Sequence, residues 1–200
     1  MTGKTFQFGV VAALAAVLIA EAGLCAKEDA KQVPHLPGAT LTERAAQYVK
    51  LRDGLTDGAA DRTISEDPKQ IDARQKALIA AVRQSLPKVE QGWLVAPSDR
   101  ARMEGALEKV FAGPKGAELA RIVLGEGNPT AEGDTVKMKV LSVYPDDRPR
   151  SSMPPEIIDA LIPLPETLQY AFVNRTLLIY DTSSELILDF FPYAVPATKP

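Results

Sequence analysis

Chemistry in a chain of 200 residues usually announces itself through histidine, cysteine or converging carboxylates, and here the first two are nearly absent. The only histidine, His35, sits between Pro34 and Leu36, and the only cysteine is Cys25. A Ser-His-Asp or Cys-His arrangement needs an imidazole beside a nucleophile, and a zinc site ordinarily needs three or four nitrogen or sulfur ligands. One histidine in a Pro-flanked stretch supplies neither, and one cysteine allows no intrachain disulfide. Carboxylates remain. Asp146-Asp147 are the densest pair, but they fall in a Pro-bearing turn that lacks the alternating oxygens of a calcium loop, so a solvated turn is the expectation. Gly125-Glu126-Gly127-Asn128-Pro129-Thr130 has the glycine content of a phosphate loop, yet it follows a helical pattern and Pro129 removes an amide that a phosphate cradle would use. It reads as a linker turn. Four residues stay as candidate surface or module positions: Trp93 after Gly92, as a core plug or a surface contact; Arg175 in a tight turn; Asp181 as a turn cap; and Asp189 on an outward strand face. No catalytic, cofactor-binding or metal-ligating residue is assigned, and no cofactor is expected.

The elements that must position these residues are clearest from Met153 to Val195. Leu168, Tyr170 and Phe172 alternate with Gln169, Ala171 and Val173, the period that puts three large side chains on one strand face. Asn174-Arg175 offers a tight turn. A second apolar run, Thr176 to Tyr180, ends at Asp181-Thr182-Ser183-Ser184, whose short side chains bond back to the backbone in turns. A third run, Glu185 to Phe191, stops at Pro192. Three runs joined by two turns predict a three-stranded antiparallel meander, in which Phe172, Leu178 and Leu188 should be buried. Val136, Met138 and Val140 alternate with Lys137 and Lys139, the pattern of an edge strand guarded by lysines.

Helical periodicity fills the chain before that point. Thr40 with Glu43 has capping-box spacing, and Leu41, Ala45, Tyr48, Leu51 and Leu55 share a face, with Gly54 as the stop. Asp67-Pro68 places a capping side chain before a proline at the first helical position, and Ile71, Leu78, Ile79, Val82 and Leu86 form a stripe ended by Pro87. Ser98 is read as the cap of a third helix, with Met103, Ala106, Leu107, Val110 and Phe111 on its face and Gly113 closing it. Lys115 to Leu124 is a fourth, and Pro154-Pro155 open a short fifth over Glu156 to Leu161. The fold class is therefore α+β, an N-terminal helical cluster packed on a small C-terminal antiparallel sheet of a three-stranded meander plus an edge strand.

At the N-terminus, Lys4 precedes an apolar run from Phe6 to Ala20, then small residues, the form of a secretory signal peptide. Ala20-Glu21-Ala22 fits a cleavage site, with a start near Lys27 as the alternative. A membrane-spanning helix needs about 20 apolar residues, and Glu21 closes this run early. The organisation expected is a signal peptide over residues 1–22, a flexible linker over 23–39, one α+β domain over 40–195 (helical part 40–124, β part 135–195) and a disordered tail over 196–200. Cys25 just after the apolar run is a possible lipidation site, although Leu24 stands where a small residue precedes an acylated cysteine.

A composition of 46% hydrophobic and 24% charged residues suits one globular domain with a real core. The net charge of −3, with basic residues scattered among acids, argues against a general nucleic-acid or anionic-membrane binder. The run from Met153 to Pro192 carries Met-Pro-Pro, Leu-Pro-Glu, Tyr-x-Phe-Val-x-Arg, Leu-x-Ile-x-Asp and Leu-Ile-x-Asp. With these it resembles the closing module of a group of uncharacterised secreted bacterial proteins, a module similar to that of RcnB-like and CigR-like periplasmic proteins. Asp67 to Trp93, with Asp-Pro, Ala-Arg-Gln-x-Ala-Leu and Gln-Gly-Trp, is similar to the middle of the same group, whose members commonly carry an Asp where this chain has Trp93. The resemblance implies export and a shared fold. The functional expectation is an exported periplasmic or extracellular protein, lipid-anchored in the lesser alternative. It would act as a non-enzymatic binding or structural module toward an unknown protein or envelope component, with no nucleic acid and no transmembrane span in the mature chain. The alternatives are a carboxylate-dependent enzyme and, through the RcnB-like resemblance, an oxygen-ligand metal-homeostasis protein.

Overall fold

Glu43 and Thr40 form the reciprocal cap that their spacing predicts. The Glu43 carboxylate accepts the N–H groups of Ala39 at 2.8 Å and Thr40 at 3.1 Å, and the Thr40 hydroxyl accepts the Glu43 N–H at 3.3 Å. The helix they open, α1 (Leu41–Asp57), buries Leu41, Ala45 and Tyr48. It does not stop at Gly54, because a glycine inside a helix costs only about 1 kcal/mol and removes no backbone hydrogen bond. These statements come from a computed structural model, which describes residues 36, 38–57, 67–125, 138–145, 148, 150–151 and 153–196. The expected signal peptide, Cys25, His35, Asp146, Asp147 and the turn at 126–130 lie outside the described residues. Leu36, expected in a flexible linker, is instead buried in the core.

In α2 (Pro68–Ser85) Asp67 accepts the Lys69 N–H at 3.0 Å, with Pro68 at the first position. Only the second half of the stripe faces the core: Ile79 and Val82 are buried, whereas Ile71 is 52% exposed. Pro97 opens α3 (Pro97–Ala112), and Ala96, not Ser98, is its cap residue, without a side-chain hydrogen bond. Proline needs no partner for a missing N–H, so the sequence cap is dispensable there. Met103, Leu107 and Phe111 face inward. A tight turn, with Gly116 N–H donating to Gly113 C=O at 2.9 Å, leads to α4 (Gly116–Gly125), and α5 (Pro155–Ala160) precedes the sheet.

Strands β1 (Leu168–Val173), β2 (Thr176–Asp181) and β3 (Ile187–Phe191) form an antiparallel meander in the order β1-β2-β3. Val173 pairs with Thr176 across a two-residue turn in which Asn174 takes a φ of +53°, a left-handed conformation that asparagine tolerates better than most residues. Both faces of the sheet are covered. Leu168, Phe172, Leu177, Ile179, Leu188 and Phe191 join helical residues such as Tyr48, Val82, Met103 and Val123 in one cluster. Ala171, Val173, Leu178, Tyr180 and Ile187 meet Tyr144 on the other face. Phe172, Leu178 and Leu188 are fully buried, as their strand positions predict.

The extra edge element lies a few residues later than the lysine alternation suggests. Met138 and Val140 are in no strand; instead Leu141 N–H donates to Ile187 C=O, Ile187 N–H to Ser142 C=O and Tyr144 N–H to Glu185 C=O, with one isolated bridge between Val143 and Leu186. At Ser151 the chain is at the opposite edge, where its N–H donates to Phe172 C=O. Tyr144 and Arg150 thus strap the second face, with the Arg150 guanidinium over the rings of Tyr144 and Tyr180 at 4.6 and 4.4 Å and paired to Glu185. Among the described residues no helix is long and apolar enough to cross a membrane.

Candidate functional site

Asp181 closes the β2–β3 turn, and its carboxylate is saturated. One oxygen accepts from Arg52 Nη1 at 2.7 Å and Ser183 N–H at 2.9 Å; the other accepts from Tyr48 Oη at 2.8 Å and Ser184 Oγ at 2.9 Å. Four donors meet the four lone-pair sites that a carboxylate offers. Arg52, only 4% exposed, also reaches Thr167 and Asp53, so α1 is fastened to the turn through a buried ion pair. Burial first, and then the neighbouring Asp181 charge, holds the Tyr48 hydroxyl far above its ordinary pKa and keeps it a hydrogen-bond donor.

Trp93 and Asp189 come together in a second buried junction. The indole N–H donates to Leu188 C=O, and the ring meets Tyr48 edge-on with centroids 6.2 Å apart. Asp189 lies opposite Ile179 on the helix-facing side of the sheet, where it accepts the N–H groups of Gly92 and Phe190 at 2.9 Å and Val95 at 3.1 Å. Burial pushes this carboxyl above the usual range, and the amides of Gly92, Val95, Phe190 and Leu94 pull it back. Three of the candidate surface or module residues, Trp93, Asp181 and Asp189, are therefore fully buried. The outward strand face expected for Asp189 is overturned by the 92–95 loop, which gives a short carboxylate a ring of amides to fill. Arg175 alone reaches the surface, stacked over Tyr193 at 5.6 Å and donating to Val195 C=O.

Asp99 was not singled out by the sequence. From the first turn of α3 it accepts the Leu41 N–H and so caps α1 from a neighbouring element, with Arg102 3.2 Å away. Each of these carboxylates is occupied in holding two segments together, and Asp181, with its four donors, has no lone pair left for a substrate or a cation. Among the described residues no group of three or more His, Cys, Asp or Glu side chains could hold a metal ion.

One surface feature with ligand-sized dimensions is a trough around Met153. On one side of Met153 a hollow of about 390 Å³ runs between Ile158 on α5, the Ile162–Leu164 segment and Leu168 to Tyr170 of β1. On the other side a hollow of about 350 Å³ lies between Leu119 and Ile122 of α4 and Pro154-Pro155. Ile158 is 51% exposed in its wall, and a Lys115–Glu156 pair marks the rim. The trough opens on the outer edge of the sheet. With Val173 and Thr176 as the pair that flanks the turn, Leu168, Tyr170 and Phe172 direct their backbone groups away from β2. Leu168 N–H is taken by Pro165 C=O and Phe172 C=O by Ser151 N–H, and between them Tyr170 N–H and C=O have no partner among the described residues. No family model, curated protein or solved structure matches the chain.

Proposed function

We propose that the chain is an exported, non-enzymatic binding protein of the cell envelope whose ligand is a short extended peptide segment with apolar side chains. The observation that carries this reading is the apolar trough lying against the open backbone of Tyr170. Main-chain donors and acceptors at a sheet edge recognise another extended backbone, and adjoining pockets take its alternate side chains. The trough is at the small end of ligand-binding clefts, which span about 300–1,000 Å³, and suits two or three side chains rather than a folded domain. Export is supported by the Lys4-to-Ala22 leader pattern and by the resemblance of the closing module to secreted bacterial proteins. The alternative of a carboxylate-dependent enzyme gains nothing from Asp181 and Asp189, which structural donors occupy.

Titration of the mature protein with a panel of extended hexapeptides, followed by NMR shifts of the Met153 methyl and the Tyr170 amide, tests the binding. Ile158→Asp should weaken the best peptide at least tenfold while leaving the melting temperature within a few degrees, since Ile158 is half exposed. Shifts confined to other surfaces, or affinity indifferent to Ile158→Asp, would remove the reading. N-terminal sequencing of protein from the envelope fraction checks export: a start near Gly23 or Lys27 is expected, and an intact Met1 in the cytoplasm would refute it.

A further inference from the structure

At the end of α2, Leu86 caps the helix and Pro87, Lys88 and Val89 turn the chain away. Facing this turn is the Lys139–Ser142 segment, and between the two walls lies a cleft of about 570 Å³. Arg83 spans it: Nε donates to Leu141 C=O at 2.9 Å. That bond fixes the plane of the guanidinium and leaves its two terminal nitrogens available as a fork. Lys88 and Lys139 line the same cleft, no carboxylate does, and none of the three cations is in an ion pair among the described residues. The floor is apolar, with Leu86, Val140 and Leu141 each 7% exposed.

Helix-end electrostatics explains part of this. The carbonyl end of α2 carries partial negative charge that favours Arg83 and Lys88 nearby. It does not explain Lys139, which arrives from a different segment, nor the φ of +63° at Lys88, a left-handed conformation that costs a long side chain free energy. In a chain of net charge −3, three cations converging on one recess with no ion pair among the described residues are not the average surface.

We propose that this cleft binds a phosphate group carried on an apolar body. A guanidinium fork locked by its own Nε bond matches two phosphate oxygens, two ammonium groups from the walls reach a third, and the Leu86–Val140–Leu141 floor takes the attached hydrocarbon. The source is either a soluble phosphoester or the headgroup of a phospholipid. The site is separate from the Met153 trough and stands whether or not that trough binds peptide.

Calorimetric titration of the full chain with inorganic phosphate and with phenyl phosphate, and co-sedimentation with phosphatidylcholine vesicles with and without one-fifth phosphatidic acid, test it. Phenyl phosphate should bind more tightly than inorganic phosphate, and affinity should fall with salt. Arg83→Gln and Lys139→Gln should each weaken binding about tenfold or more. Lys76→Gln, on the exposed face of the same helix, should leave it unchanged, with all three variants melting near the parent. Binding to phenyl phosphate assigns a soluble phosphoester, and binding only to phosphatidic acid vesicles assigns the headgroup. Absence of binding to every probe, indifference to both Arg83→Gln and Lys139→Gln, or an equal loss with Lys76→Gln overturns the proposal.

Discussion

Arg52 sits where sequence arithmetic expects a leucine. It continues the 41-45-48 face of α1 and places a guanidinium in the interior, 4% exposed, against the fully buried Asp181. Such a pair contributes little net stability when intact, since desolvation offsets its attraction, but losing one partner strands the other as an unpaired interior charge. Arg52→Met should therefore cost about 3–5 kcal/mol, read as a fall in the urea midpoint. The exposed pair of Lys76 with Asp72, 73% and 59% exposed, gives the contrast: Lys76→Met should change stability by no more than about 0.5 kcal/mol. Equal losses from the two substitutions would show that the Arg52–Asp181 junction is not a structural fastener.

Two glycines report on how the helices are placed. Gly54 lies in α1 with open space where a Cβ would go, so Gly54→Ala should raise stability by about 0.5–1 kcal/mol by restricting the unfolded chain. Gly116 begins α4 so close under α3 that a Cβ would stand 1.8 Å from the Phe111 carbonyl oxygen. Gly116→Ala must push α4 off α3 and should cost about 1–3 kcal/mol, the range of overpacking. Paired thermal melts separate the two signs. The same contrast explains what was legible in the sequence. The meander was readable because its alternation and its turn residues, Asn174-Arg175 and Asp181 to Ser184, are local. The end of α1, the outer half-exposed turns of α2 and the true edge contact at Leu141 to Tyr144 depend on what lies across the fold, and no local pattern encodes that. The buried role of Asp189 was hidden for the same reason, since its partners are amides 94 to 97 residues away. The 41-45-48-52 spacing was the one available signal for Arg52. The Met153 trough had none, because three separate segments build it.

Among the described residues burial raises four phenols, Tyr144 and Tyr180 among them, and the largest rises, at the buried Tyr48 and the partly buried Tyr170, both hydrogen-bond donors, set an alkaline limit. Burial, then the nearby Asp181 for Tyr48 and Asp99 for Tyr170, raises both above the ordinary value of about 10. The unfolded chain ionises these groups first, so their contribution is fully present below about pH 10 and is lost as pH rises from there toward the folded values, by about 1.4 kcal/mol per pH unit for each. Urea midpoints measured from pH 8 to pH 11 should fall accordingly. Tyr170→Phe should flatten that fall, and an unchanged slope would remove Tyr170 from the account. The junctions that hold the fold are also far apart along the chain. Tyr48 meets Asp181 across 133 residues, and Trp93 meets the Leu188 carbonyl across 95. Contacts of such separation form late, because loop closure must come before any reward. While the chain is being made, α1 emerges without the partner for its buried arginine, and the 92–95 loop without the carboxylate that collects its amides. The two finishing pieces are β2 and β3, which leave the ribosome after every helix described above. The nascent chain therefore stays open until the meander has been made, a delay written into the order of its residues.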